Sequence, residues 1–252
     1  MERGSARWTA AVRARESARP DRLFEDPWAE VLAGGADAGP DNPFLVVRTR
    51  YFDDAVTAAG WLRQLVLLGA GLDTRAWRLP LPAGATVFEV DLPVLLAAKH
   101  ERIPARPGCA VRIVEADLRG DWGPALLGAG FDPGAPTLWL AEGLLFHLPA
   151  AAVGPLLAGA AALTGGGRFL ADVFGTGLLR LPSLQPMIES RRRYHLSPPF
   201  CTDDPAGLFR DAGWADVTWD LAGSPAANHG RLTGRAEPDD PGMRTYLVAA
   251  AV

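Results

Sequence analysis

The sequence predicts an α/β domain on a doubly wound, mainly parallel sheet, and three observations predict it. Short apolar runs alternate with helical stretches between Gln64 and Phe174, the pattern of consecutive βαβ units. The first run leads into Gly69-Ala70-Gly71, a turn rich in glycine. The next three runs have acids at or just past their ends: Asp91, Asp117 and Glu142. Ligands of such sheets bind beyond the carboxyl ends of the strands, so these residues mark the expected site.

The elements follow in order. Residues 1–60 read as a helical N-terminal cover, 61–175 as a ligand-binding core and 176–252 as a lid with closing strands, all within one domain. Ala6–Ser17 has periodic apolar positions, and Pro20 ends it. Asp26-Pro27-Trp28 reads as an N-cap with proline at N1, opening a short helix to about Ala33. Phe44–Ala59 reads as a longer helix. Five strands are predicted at Gln64–Leu68, Thr86–Val90, Ala110–Glu115, Thr137–Ala141 and Arg168–Phe174. Helices at Pro93–Ile103, Trp122–Leu127 and Ala150–Leu163 separate the last four. After the fifth strand come an inserted helix, Leu178–Arg193, and a further one, Asp204–Ala212. Trp214–Leu221 and Arg244–Val252 complete a hairpin around the polar loop Gly223–Asp240.

Composition narrows the function. The 252 residues are 48% hydrophobic and 21% charged, a normal globular mixture. A net charge of −4 gives no support for nucleic-acid binding. Two distant cysteines, Cys109 and Cys201, make neither a bridge framework nor a C-x-x-C site, which points to a reducing cytoplasm. The start of the chain runs into Arg13 and Arg15 with no apolar stretch, so no secretory signal is expected. The most apolar run, Leu148–Leu163, is broken by proline and glycine and is too short to span a bilayer. Lys99 is the only lysine among 25 basic residues, a codon bias that hints at a bacterial source.

Each site residue has a bland reading beside the functional one. Gly-x-Gly after a strand permits a tight turn and a close ligand, but Thr74 stands where a third glycine would complete a pyrophosphate cradle. Asp91, 22 positions after Gly69, suits both hydroxyls of a ribose, or else caps the helix from Pro93. Asp117 could accept from an adenine amino group with Leu118 packed on the base, or cap the helix near Trp122. Glu142 ends an apolar strand and must face the cleft or be paired. Together the set suits adenosine with a cationic tail better than a pyrophosphate.

These residues carry a resemblance. The strings LLGAGLDTR (67–75), FEVDLP (88–93), ADLR (116–119) and AEGLL (141–145), with RARES (13–17), FEDP (24–27) and RTRYFD (48–53), occur in order. They are similar to the leucine carboxyl methyltransferase family, in its bacterial branch of S-adenosylmethionine-dependent O-methyltransferases linked to polyketide and peptide natural products. The match covers most of residues 13–175. The resemblance implies a class I methyltransferase sheet, Rossmann-like, with seven strands, the last antiparallel, and helices on both faces. It implies S-adenosylmethionine as cofactor and S-adenosylhomocysteine as product. It places Arg48, with Arg15 as a second basic contact, at the methionine carboxylate; Arg50 is the runner-up for Arg48. Gly69, Ala70 and Gly71 would flank the methionine part, Asp91 and Leu92 the ribose, Asp117 and Leu118 the adenine. Glu142 would face the amino-acid or sulfonium region. His147 stands where the family often has tyrosine.

The expected reaction is methyl esterification of a small or peptidyl carboxylate, which is ionised at neutral pH and needs no base. A phenol or hydroxyl acceptor is the rival, with His147 as the candidate catalytic base. A cofactor-binding cyclase or decarboxylase, or a non-catalytic binder, are further alternatives. His147 otherwise lines the pocket. His100, His195 and His229 have no metal-ligand spacing. Arg191-Arg192-Arg193-Tyr194-His195 could be a lid that attracts an anionic acceptor, or a solvated helix face. Arg48→Ala and Asp91→Ala are expected to weaken cofactor binding with little loss of stability.

Overall fold

The computed structural model describes residues 2–194, 196–232 and 241–252. His195 and residues 233–240 of the predicted polar loop lie outside the described residues. The N-terminal cover contains α1 (Glu2–Ser17), α2 (Ala29–Ala33) and α3 (Pro43–Ala58). Asn42 caps α3 by accepting from Leu45 N, and Pro43 occupies its first turn, where a missing N–H costs nothing. Asp26 Oδ1 accepts from Trp28 N at 3.1 Å, capping the turn that leads into α2, whose first flanking residue is Trp28. Asp26 is buried and also holds Arg13 at 2.9 Å and the Thr74 hydroxyl at 2.8 Å.

The core alternates β1 (Gln64–Leu68), α4 (Arg75–Arg78), β2 (Thr86–Asp91), α5 (Pro93–His100), β3 (Ala110–Glu115), α6 (Gly123–Gly128), β4 (Thr137–Ala141), α7 (Ala150–Ala162) and β5 (Gly167–Phe174). Then follow α8 (Gln185–Arg193), α9 (Pro205–Asp211), β6 (Asp216–Leu221) and β7 (Thr245–Ala251). The strands form one seven-stranded sheet in the order β3-β2-β1-β4-β5-β7-β6. β1 to β5 run parallel; β7 inserts antiparallel between β5 and β6. The order reverses at β1 and β4, so the switch point lies beyond Leu68 and Ala141.

Every residue of β1 and β4 is buried, as expected of central parallel strands covered on both faces. One core layer packs Phe88, Trp139, Phe169 and Trp214 against α6, α7 and α9. The other packs Leu65, Leu67, Leu138 and Leu247 against α3 and α5. Each such side chain contributes roughly 1.5–3 kcal/mol on burial. The edge strands β3 and β6 are mostly exposed and carry Arg112, Glu115, Asp216 and Asp220; charged edges resist pairing with other chains.

The predicted helix Leu178–Arg193 is broken. Thr176–Arg180 and Pro182–Leu184 are 3-10 turns, and only Gln185–Arg193 is α-helical. Leu181 is extended, with φ −63° and ψ 129°, because Pro182 disfavours helical backbone in the residue before it. Trp214 stands before β6 rather than in it, buried with its indole donating to Leu157 O at 3.0 Å. The short helix α4 is absent from the sequence reading.

Candidate functional site

The glycine turn opens the switch point. Gly69 has φ +67°, and a Cβ there would meet Leu144 Cδ1 at 2.8 Å, so glycine fits on both grounds. Gly71 N donates to Asp91 Oδ2 at 2.7 Å, and Leu92 N donates to Asp91 Oδ1 at 2.7 Å. Asp91 therefore stitches the end of β2 to the turn after β1. It does not cap α5, whose cap residue is Leu92 with no side-chain bond. A carboxylate offers about four acceptor sites, the chemistry a ribose diol calls for.

Glu142 lies at the end of β4 and is almost wholly enclosed. Its Oε1 accepts from Arg48 Nε at 3.0 Å and from the Thr49 hydroxyl at 3.2 Å. Its Oε2 accepts from Arg75 Nη2 at 2.5 Å. Arg48 Nη1 also pairs with Asp172 at 3.0 Å, and Asp172 accepts from Gly143 N at 2.6 Å. Arg48 Nη2 lies beside Gly143, 3.1 Å from where a Cβ would sit, and Gly143 has φ +66°. A larger residue there would displace the guanidinium. Arg48 is buried, so the expectation that its removal costs little stability is corrected: its loss takes the guanidinium from Asp172 and leaves Glu142 to Arg75 and Thr49.

The network extends through α4. Arg75, 2% exposed, also binds Asp53 at 2.8 Å and Asp73 through Nη1. Arg78 binds Asp53 at 2.5 Å. Among the described residues, Arg48, Arg75 and Arg78 thus link Asp53, Asp73, Glu142 and Asp172, four carboxylates against three guanidinium groups. Burial pushes the Glu142 carboxyl up, but Arg75 and Arg48 outweigh it and hold the pKa below the ordinary range. Burial also opposes ionisation of Asp73, yet Arg75 and Arg78 draw it down to about 2. The surplus negative charge fits a cationic ligand.

The other predicted residues separate. Leu118 is buried, but Asp117 is exposed and engaged by Arg119 at 2.5 Å; that hydrogen bond lowers its pKa. Ala70 is buried under the turn. Arg15 is held elsewhere, donating to the Gly39 and Pro40 carbonyls at 2.7 and 3.2 Å with Asp41 at 3.4 Å. Arg50 pairs with Asp54 at 2.9 Å and is not part of the cluster. His147 closes a 3-10 turn after β4, and its carbonyl accepts from Arg191 at 3.2 Å. Its ring is solvent-accessible, yet packing strips enough water to lower the imidazole pKa; Arg191 lowers it further, Asp172 opposes, and Arg48 adds a smaller lowering. Sequence reasoning missed Asp53, Asp73, Arg75, Arg78 and Asp172. The signal was there in Asp73-Thr74-Arg75 and in Asp172, an acid in the middle of an apolar strand.

No helix among the described residues is long and apolar enough to cross a membrane. Among them, no three His, Cys, Asp or Glu side chains are grouped to hold a metal ion.

The chain is similar to known proteins. The leucine carboxyl methyltransferase family model matches residues 40–161. A candidate S-adenosyl-L-methionine-dependent methyltransferase of Mycolicibacterium paratuberculosis is 38% identical over 286 aligned positions, covering 98% of this chain and 93% of that protein. A Parafrankia protein of like description is 44% identical over 206 positions, 73% of this chain; there the match spans 65% of the relative's length. The fold recurs in a Streptomyces avermitilis DUF574 family protein, with TM-score 0.63, 13% identity and coverage of 96% and 95% of the two chains. It recurs too in a candidate methyltransferase of Thermobifida fusca, with TM-score 0.59, 18% identity and coverage of 97% and 93%. With the glycine turn, the stitched Asp91 and the caged Glu142 at one switch point, the chain belongs to the leucine carboxyl methyltransferase family of bacterial S-adenosylmethionine-dependent methyltransferases.

Proposed function

We propose that this methyltransferase esterifies a carboxylate of a small or peptidyl natural-product intermediate in the cytoplasm. The observation that carries the reading is Arg191, whose guanidinium donates to the His147 carbonyl at 3.2 Å and sets a cation beside that side chain. Burial is the main reason the imidazole stays unprotonated, and Arg191 adds to it; the same cation favours an anionic acceptor.

When bound, S-adenosylmethionine supplies a methyl group already activated by its sulfonium. The residues present fit it. The glycine turn lets the ligand approach, Asp91 with Leu92 faces the ribose, and Leu118 packs the adenine, with Asp117 shared between the base and Arg119. Arg48 Nη2 serves the methionine carboxylate, and Glu142 faces the ammonium or sulfonium end. What remains for the protein is alignment, which can be worth roughly 7–11 kcal/mol when reacting atoms are held in line. An ionised acceptor carboxylate needs no proton removed, so His147 orients it.

Asp91→Ala should weaken S-adenosylmethionine binding by about 1.5–3 kcal/mol, as loss of a charged hydrogen-bond partner does. It should also lower stability, because Gly71 N and Leu92 N both lose their acceptor. Calorimetric titration and thermal melting measure both; unchanged affinity would remove Asp91 from the site.

His147→Ala tests the acceptor. With a carboxylate, turnover should fall less than about tenfold, since general acid–base catalysis contributes nothing. The rate should then stay flat as pH falls through the lowered imidazole pKa. A hydroxyl acceptor has one observation in its favour: the imidazole is neutral at pH 7 and able to take a proton. That case predicts a loss of about 10²–10⁴ and a rate that declines as the imidazole protonates. Candidate acids and phenols are compared by the 14-dalton gain of one methyl group, read by mass spectrometry.

A further inference from the structure

Arg75 spans three parts of the fold with one guanidinium. Nε holds Asp53 of α3, Nη1 holds Asp73 of the loop after the glycine turn, and Nη2 holds Glu142 at the end of β4. Its backbone N–H also donates to Asp73 at 2.7 Å. A planar fork with five donors can bridge three carboxylates in fixed directions, whereas an ammonium cannot. Neighbouring Arg78 binds Asp53 and the Thr74 hydroxyl but not Glu142. The two arginines share Asp53, while Asp73 and Glu142 are bound by Arg75.

We propose that Arg75 is a positioning residue for the cofactor's amino-acid end, holding Glu142 in one orientation as a fixed negative charge. The proposal rests on the placement of that end against Glu142. Glu142 is faced by Arg48 and Thr49 from α3, by Arg75 from α4 and by Asp73 from the loop. Asp172 of β5 is linked to it through Arg48 and through the neighbouring Gly143 N. Without Arg75, one cation remains to balance burial and the repulsion of Asp73. The Glu142 carboxyl then rises toward neutrality as pH falls, and an uncharged carboxyl attracts no cation.

Calorimetric titration of the full chain with S-adenosylmethionine at pH 7.5 and 5.5 tests this. Dividing each variant's Kd by the parent's at the same pH cancels the ligand's own ionisation. For Arg75→Gln that ratio should grow at least about threefold on going to pH 5.5, the sign linkage gives for a carboxyl whose pKa is raised. Arg75→Lys, whose point charge reaches fewer acids, should show a smaller growth in the same direction, and it carries the test if Arg75→Gln does not fold. Arg78→Gln should lose comparable thermal stability with a ratio that stays flat. A flat ratio in the folded Arg75 variants, or equal growth in Arg78→Gln, overturns the proposal. Glu142→Gln separates the two ideas. It should bind at least about fivefold more weakly at both pH values, as loss of a charged contact does; parental affinity there would sink the placement of the cofactor instead.

Discussion

Arg48→Ala is expected to abolish measurable cofactor binding and to destabilise the fold by about 3–5 kcal/mol, the usual cost of removing one partner of a buried ion pair. The reason is the double pairing with Glu142 and Asp172, both at 3.0 Å, at a residue that is itself buried. Truncation takes the guanidinium from Asp172, which keeps Gly143 N, and leaves Glu142 to Arg75 and Thr49. Adding Asp172→Asn should restore part of the stability, because one stranded charge is gone, without restoring binding. Denaturant unfolding and calorimetric titration separate the effects. Parental stability in the single variant would mean that the pairs contribute nothing; parental affinity would mean that Arg48 does not meet the ligand.

Lys99→Met is expected to cost a similar amount. Lys99 and Glu89 are both fully buried, paired at 2.8 Å between α5 and β2. The ammonium also donates to Asp73 O at 3.1 Å and lies 5.9 Å from the Trp77 ring centroid. Its removal leaves Glu89 with His100 at 2.8 Å. About 3–5 kcal/mol should be lost on the same argument, and a Lys99→Met, Glu89→Leu double variant should recover most of it, since apolar replacements of a buried pair are often neutral. Urea unfolding of the three proteins decides; a double variant as unstable as the single one would show that packing, not charge, is at stake.

Much of the fold was legible because its signals are local. The strands Gln64–Leu68, Ala110–Glu115 and Thr137–Ala141 match their predicted ends, each an apolar or alternating run bounded by breakers. The insert after β5 was misread because Leu178, Leu181, Leu184 and Ile188 keep a helical rhythm while Pro182 forbids one helix. In the site, Asp91 and Glu142 were legible from strand ends. Arg75 and Asp172 were not, because their meaning depends on partners, Glu142 and Arg48, that lie 67 and 124 positions away respectively. Periodicity carries no record of which distant charge a side chain will meet. Arg15 shows the converse, a plausible cation in sequence whose neighbours in space are carbonyls of its own cover.

The burial of Lys99 turns the chain's one lysine into a gauge of its own breathing. Its ammonium has no exposed surface in the folded state. An acylating reagent therefore meets that side chain only in molecules where α5 has lifted from β2. Modification then proceeds at the reagent's intrinsic rate multiplied by the fraction of open molecules, as hydrogen exchange does for protected amides. Because Lys99 also holds the loop that carries Asp73, any ligand that tightens that loop should slow its acylation.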